Sequence, residues 1–414
     1  MRVPGSPGTP TLLASLLEAL QDESGDVYPL SCPKTIATLY ILQTMSGTAT
    51  EDLVALRAKL PPDLPAWRGA DVAVWDLLTD FFRSRGYELW EIPIPGILRQ
   101  SAPGPVLTAG YGKHLYHDMD TWYSLFSLSC GTSALRAARS TEFLAQDVVI
   151  RVVQAGAEEI THISILTLVA SEPRVSISTN HTLPVLELIG LGDIVFGIFP
   201  KAGPDLMMVL TRSRRNSVGD IVNIIMQCLE ALHFLHTNLI AHRDAFKENF
   251  LIQYHPQSLV TEPIRVDQPR VYLHDFELAC SFPEGTPPEE QMCVGPLYGG
   301  TISKSAPADH RCSPEVLTGE PYSPYKLDVW QLGTSFSEFK STIPSIDAAV
   351  ERLREPDPSK RPTAYEALKE LADIVSSMAP RDLVIPPDYS FLDPVWRPTP
   401  PPDDVTQQIA VLHV

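Results

Sequence analysis

The stretch HFLHTNLIAHRDAFKENFLIQ, residues 233–253, sets a carboxylate, Asp244, five positions ahead of an amide, Asn249, where a helical pattern gives way to a short apolar run. The helical part reaches back to Ser217 and carries Ile221, Ile225, Cys228, Leu232 and Leu235 at one-face spacing. The run after Asn249, FLIQY (250–254), reads as a strand, and so does RVYLH (270–274), which leads into Asp275 and Phe276. If the two strands pair antiparallel, Asn249 and Asp275 fall at the same end of the hairpin, next to Asp244. The 15 residues from His255 to Pro269 then lengthen only the far end, where extra chain costs little closure entropy.

A carboxylate that accepts the proton of an attacking hydroxyl, beside oxygens that help hold magnesium against phosphates, is what phosphoryl transfer from ATP needs. His242, Arg243, Asp244 and Asn249 resemble the catalytic loop of eukaryotic protein kinases, and Asp275 resembles the family's metal-binding aspartate. Three more matches follow in the family's order. Ser313, Pro314 and Glu315 resemble the end of an activation segment. Asp328, Trp330 and Gly333 in LDVWQLG resemble the helix whose aspartate braces the catalytic loop, and Arg361 in EPDPSKRP resembles the arginine that pairs with the segment-ending glutamate. HRD or DF alone is usually a surface turn or a strand end; five ordered matches over about 120 residues are hard to assign to chance.

The resemblance implies a two-lobed α+β fold, with a small β-rich N-lobe and a mainly helical C-lobe, that uses ATP and Mg2+. It implies Asp244 as base, Asn249 and Asp275 as metal ligands, and Arg243 as a link from the loop to the activation segment. The N-terminal half departs from the family. No GxGxxG occurs, and DVVIRVV (147–153), which has the character of the lysine-bearing strand, carries Arg151 at the lysine position. A planar guanidinium can pair with phosphate, though in a different geometry. In the helical pattern that follows, His162 aligns with the family's glutamate, and a shift of three or four residues offers Glu158 or Glu159 instead; His162 reads better as a partly buried helix histidine. Residues 180–188 and 193–201 read as two strands leading to a linker near Ala202 to Pro204. Glu277 stands where the family has the glycine of DFG, which suggests a segment that switches less freely. Lys247 follows Asp244 by three residues, against two in serine/threonine kinases.

The 414 residues include 44% apolar side chains, enough for a sizeable core, and the net charge of -18 argues against a broad nucleic-acid surface or an anionic-membrane patch. The cysteines, at 32, 130, 228, 280, 293 and 312, form no CxxC pair, so neither structural zinc nor a disulfide framework is indicated and reduced thiols are expected. TLLASLLEAL near the amino terminus is interrupted by Glu18 and preceded by a Pro/Gly-rich stretch, so it reads as an amphipathic helix rather than a signal segment.

Thr48 and Glu51 spell a capping box before Leu53, Leu56 and Leu60, and a second helix is expected from about Asp71 to Arg83, with Trp75, Leu78 and Phe82 on one face and Gly86 as a stop. The expected organisation is a helical extension (1–74), an N-lobe (75–201), a C-lobe (202–378) and a proline-rich tail (379–414). SRGYELW, AHRDAFKENFLIQ and LDVWQLGTSFSEFKS are also similar to divergent kinase-like proteins of mushroom-forming fungi. The functional expectation is transfer to a protein Ser/Thr hydroxyl, inside the cell, in cytoplasm or nucleus, with oligomeric state left open. The alternatives are a pseudokinase scaffold and, behind it, a small-molecule phosphotransferase. That last class shares the Asp, Asn and Asp logic but lacks the Ser-Pro-Glu, DxWxxG and Arg361 group.

Overall fold

The computed structural model describes residues 51–92, 132–141, 147–156, 161–203, 216–253, 270–295 and 312–388, with short pieces at 99–101, 127–129, 205–207, 210 and 297. The described chain divides into two compact units: one holds the residues of 51–176 and 183–201, the other those of 177–182 and from 202 onward. The expected helix at TLLASLLEAL, Thr48, Cys32, Cys130, Glu158, Glu159, Pro204, the His255–Pro269 insertion and the tail beyond residue 388 lie outside the described residues.

The first unit is built on a five-stranded antiparallel sheet. Its strands are β1 (Tyr87–Leu89), β4 (Leu135–Ser140), β5 (Asp147–Ala155), β6 (Glu187–Leu191) and β7 (Ile194–Pro200), in spatial order β1-β4-β5-β7-β6. Strands β2 (Arg99–Ser101) and β3 (Ser127–Ser129) pair separately. Alternation along β5 sends Val148, Ile150 and Val152 to one face, where they are buried with Phe196 and Ile198 of β7. Covering that face are α1 (Glu51–Arg57), α2 (Leu64–Gly69), a 3-10 turn over Val72–Leu78 and α3 (Thr79–Arg83). Trp67, Trp75, Phe82 and Phe196 pack with ring centroids 5.1 to 6.1 Å apart, tilted or edge-on as ring quadrupoles prefer. The indole of Trp75 donates to the Ser133 carbonyl at 2.7 Å, which meets the polar requirement of a fully buried tryptophan. Residues 51–74 thus share a core with the sheet, and a boundary at residue 75 falls inside that core. Arg57 fastens α1 to the β6–β7 turn through Asp193 Oδ2 at 3.1 Å and donates to the carbonyls of Pro61 and Pro62.

Two local expectations are corrected. The helix expected over 71–83 begins as a 3-10 turn capped by the Asp71 carboxylate on the Ala73 N–H and becomes α-helical only at Thr79. The strand expected over 180–188 forms only at Glu187–Leu191. Pro184 lacks an N–H for a ladder, and His181 is held elsewhere: its carbonyl accepts from Leu273 N–H at 2.6 Å, and its ring bonds the Val271 carbonyl and Glu230. The helix after β5 forms as α4 (Thr161–Val169), which buries Ile163, Leu166 and Val169 and packs on β5.

The second unit centres on α5 (Val218–Thr237), whose capping box joins Ser217 and Asp220 and whose buried face includes Ile221, Ile225, Cys228, Leu232 and Leu235. By length and composition α5 is apolar enough to cross a membrane, but most of that stretch is buried against the rest of the protein. Against it pack α6 (Pro324–Ser335) and α8 (Ala364–Ser376), with α7 (Pro344–Arg352) beside α8. A Cβ on Gly333 of α6 would lie 2.6 Å from Leu353 Cβ, so glycine is required there for the helix to approach the 353–354 backbone. The short α9 (Pro380–Leu383) and the residues after it return to α5, with Val218 N–H donating to the Ile385 carbonyl.

Candidate active site

Helix α5 ends in a turn through Leu239 and delivers the chain to β8 (Ile240–Ala241), which pairs with β11 (Cys280–Ser281). The loop from His242 to Asn249 follows. Its backbone is held from one face of α6. Asp328, fully buried, accepts the N–H of His242 at 2.9 Å and of Arg243 at 2.6 Å, and the His236 ring at 2.9 Å. One helical step on, Gln331 accepts Ala245 N–H and donates to the Arg243 carbonyl, both at 2.9 Å, and Ser335 Oγ accepts Lys247 N–H. Arg243 adopts a left-handed backbone with φ of 64°, a costly conformation for a side-chain-bearing residue, and these bonds on both sides of it hold it there.

Strands β9 (Phe250–Gln253) and β10 (Arg270–Leu273) pair antiparallel with Phe250 opposite Leu273, and His274 N–H donates to the Asn249 carbonyl at 3.0 Å. Asn249 and Asp275 therefore sit at the same end of the hairpin. The Asn249 amide nitrogen donates to the Asp244 carbonyl at 2.7 Å and to its carboxylate Oδ2 at 2.9 Å, which turns the amide oxygen away from Asp244. His242 joins the two segments: Nε2 donates to the His274 carbonyl at 2.9 Å, leaving Nδ1 to accept Asp244 N–H at 3.3 Å. Because a carbonyl only accepts, this pattern assigns the proton to Nε2.

Asp275 is left-handed, φ 68°, while Glu277 lies in a 3-10 turn over Phe276–Leu278 and is not among the positive-φ residues. The conformational freedom expected to be missed at position 277 is thus not used there; the strain sits on Asp275, with Phe276 buried against the His242 ring at 5.0 Å.

Of the remaining predicted site residues, Arg243 turns its guanidinium to Tyr322, with Nη2 3.4 Å from the hydroxyl. Arg151 lies on β5 opposite Leu135 and Gly197, on the face away from the tryptophan cluster, within the first unit. His162 lies in the first turn of α4. Glu315 and Arg361 form the expected pair: Nη1 meets Oε1 at 2.6 Å, Nη2 meets Oε2 at 3.2 Å, and Arg361 also donates to the carbonyls of Lys326 and Glu355. Burial pushes the Glu315 carboxyl up, but the Arg361 hydrogen bonds and charge outweigh it and hold the group below its ordinary range. Sequence reasoning missed Gln331, Ser335 and His236 as loop supports. The signal for the first two was present, since positions 328, 331 and 335 put three polar side chains on one face of the helix.

Residues 194–350 match the protein kinase domain family. The chain is 27% identical over 173 residues to a serine/threonine-protein kinase of Kluyveromyces lactis, covering 42% of this chain and 24% of that protein. It is 27% identical over 210 residues to a probable cyclin-dependent kinase 8 of Dictyostelium discoideum, covering 49% and 47%, and 33% identical over 138 residues to the US3 homolog serine/threonine-protein kinase of varicella-zoster virus, covering 33% and 28%. The aligned part thus spans from about a quarter to about half the length of these curated relatives.

A protein kinase domain implies use of ATP and a divalent metal. The residues present fit such an ion: Asn249 offers an amide oxygen and Asp275 a carboxylate, hard donors of the kind a phosphate-bound divalent cation takes. Among the described residues no group of three His, Cys, Asp or Glu side chains is placed to hold a metal ion. The two-unit α+β architecture, the braced loop and these matches together support a place for this chain in the eukaryotic protein kinase superfamily, with a protein kinase-like fold.

Proposed function

We propose that this chain transfers the γ-phosphoryl group of ATP to a Ser or Thr hydroxyl of a protein. The observation that carries the reading is the Asp244–Asn249 contact on a loop whose backbone is fixed by Asp328 and Gln331. Asp244 accepts the proton of the attacking hydroxyl, and the Asn249 amide fixes the orientation of its carboxylate. Asn249 and Asp275 hold Mg2+, which when bound neutralises charge on the phosphates. Arg151 pairs with phosphate in place of the family's lysine, and Arg243 positions the loop. The choice of Ser/Thr over Tyr rests on the serine/threonine activity that the relatives are named for. A net charge of -18 argues against a broad nucleic-acid surface or an anionic-membrane patch, and the reduced thiols expected of the scattered cysteines suit work inside the cell. The first unit, including the helices of residues 51–83 that cover its sheet, serves as the N-lobe and the second unit as the C-lobe, with the proline-rich 379–414 as a strap or spacer. AHRDAFKENFLIQ and LDVWQLGTSFSEFKS support kinship with the divergent kinase-like proteins of mushroom-forming fungi.

The test is direct titration of the full chain with Mg-ATP, together with turnover on a generic protein substrate. Asp244→Asn keeps the shape but removes the base, so affinity should hold while turnover falls about 10²- to 10⁴-fold. A wild-type chain that binds no Mg-ATP would overturn the catalytic reading and leave a scaffold.

A further inference from the structure

Two cysteines meet beside the catalytic loop, in a part of the second unit that phosphoryl transfer does not use. The sulfurs of Cys280 and Cys293, 13 positions apart, lie 3.7 Å from one another. Each is held by backbone pairing. Cys280 sits on β11 opposite Ala241, two residues before Arg243, and Cys293 exchanges two 2.9 Å backbone hydrogen bonds with Tyr322. Both are half-buried, with exposed Met292 and Val294 flanking Cys293. Arg243 faces the pair, and its Nε is buried without a hydrogen-bond partner, so a positive charge is available to an anion there. The two thiols share one hydrogen bond in which either sulfur can be the donor, and for both of them burial raises the thiol while the Arg243 charge lowers it. Cys293, flanked by exposed residues, is the sulfur more open to an oxidant, with Cys280 hydrogen-bonded to it as the second thiol.

We propose that Cys280 and Cys293 are a reversible redox site, converted to a disulfide by peroxides and restored by thiol reductants. The Cys293 thiolate attacks one oxygen of hydrogen peroxide, the O–O bond breaks, and the sulfur becomes a sulfenic acid while hydroxide takes up a proton to leave as water. The Cys280 thiol then gives up its proton, its sulfur attacks the sulfenic sulfur, and a second water departs. Two thiols and one peroxide become one disulfide and two waters; the sulfurs lose two electrons and the peroxide gains them. Bond formation requires the sulfurs to close to about 2.05 Å, a movement of under about 2 Å. The crosslink ties the segment after Asp275 to the residues around Cys293 that bridge to Tyr322.

Cys312 packs on the same small apolar cluster as Cys293 and is the competing partner. The experiment treats the full-length chain with hydrogen peroxide, blocks remaining thiols by alkylation and maps peptides by mass spectrometry without reduction. A peptide linking Cys280 to Cys293 should appear, about 2 Da lighter than its two reduced parts combined, and vanish with dithiothreitol. Cys312→Ser should leave it intact. Cys280→Ser should instead let dimedone trap a sulfenic acid at Cys293, a readout that does not depend on a disulfide. Linkage through Cys312, or a Cys293 that oxidises no faster than buried Cys228, overturns the proposal. None of these readouts needs ATP turnover, so the site stands or falls apart from the kinase reading.

Discussion

Replacing Arg361 by Met tests whether the residue holds the second unit together. The side chain is 1% exposed and donates to Glu315 twice, to the Lys326 carbonyl at 2.8 Å and to the Glu355 carbonyl at 2.9 Å. Methionine keeps much of the stem's volume but strands a mostly enclosed carboxylate and two carbonyls. Breaking one side of a buried pair costs about 3 to 5 kcal/mol, because the remaining charge is left uncompensated. For a unit of this size, at about 2 to 4 °C per kcal/mol, melting should fall by about 6 to 20 °C. Scanning calorimetry on the full chain reads it, and pH supplies the cross-check. The folded Glu315 lies below its unfolded value of about 4.3, so its contribution is complete above that value and is lost as pH falls through the folded one. The wild-type advantage should therefore shrink under acid. A variant melting within about 2 °C of wild type, or a gap that persists unchanged to pH 3, would refute this account.

Two further outcomes are expected. Asp328→Asn replaces a carboxylate that accepts from three donors with an amide that has one accepting oxygen, so a backbone N–H of the loop loses its partner. Stability should fall by about 1 to 3 kcal/mol in urea titration and turnover by a larger factor; no change in either would mean that α6 does not brace the loop. In the first unit, Lys201 is buried near the Trp90 ring, and burial lowers it to about 8 against the raising influence of Asp147. Its folded value lies below its unfolded one, so the unfolded chain binds more protons between about 8 and 10.4 and stability should rise with pH across that window. Lys201→Met should flatten the rise, and denaturation curves at pH 8 and 10 that keep the same difference in wild type and variant would contradict the burial argument.

What sequence alone determined was local. The long helix from Ser217 follows from Ile221, Ile225, Cys228, Leu232 and Leu235 at one-face spacing, and the β9–β10 hairpin with Asn249 and Asp275 at one end follows from two short apolar runs and strand geometry. The Glu315–Arg361 pair, 46 positions apart, was legible only through family resemblance, since no local rule joins them. Tertiary structure decided the rest. The apolar faces of residues 51–83 were readable, but that they cover one face of the sheet depended on Val148, Ile150, Val152 and Phe196 being there to receive them. Whether residues 180–182 entered a strand was settled by the β10 backbone and Glu230, which compete for His181. A 13-residue separation of Cys280 and Cys293 carries no periodicity that would join them. Their meeting is set by β8 holding one and Tyr322 the other, because hydrogen bonds between distant segments fix positions that spacing along the chain leaves open.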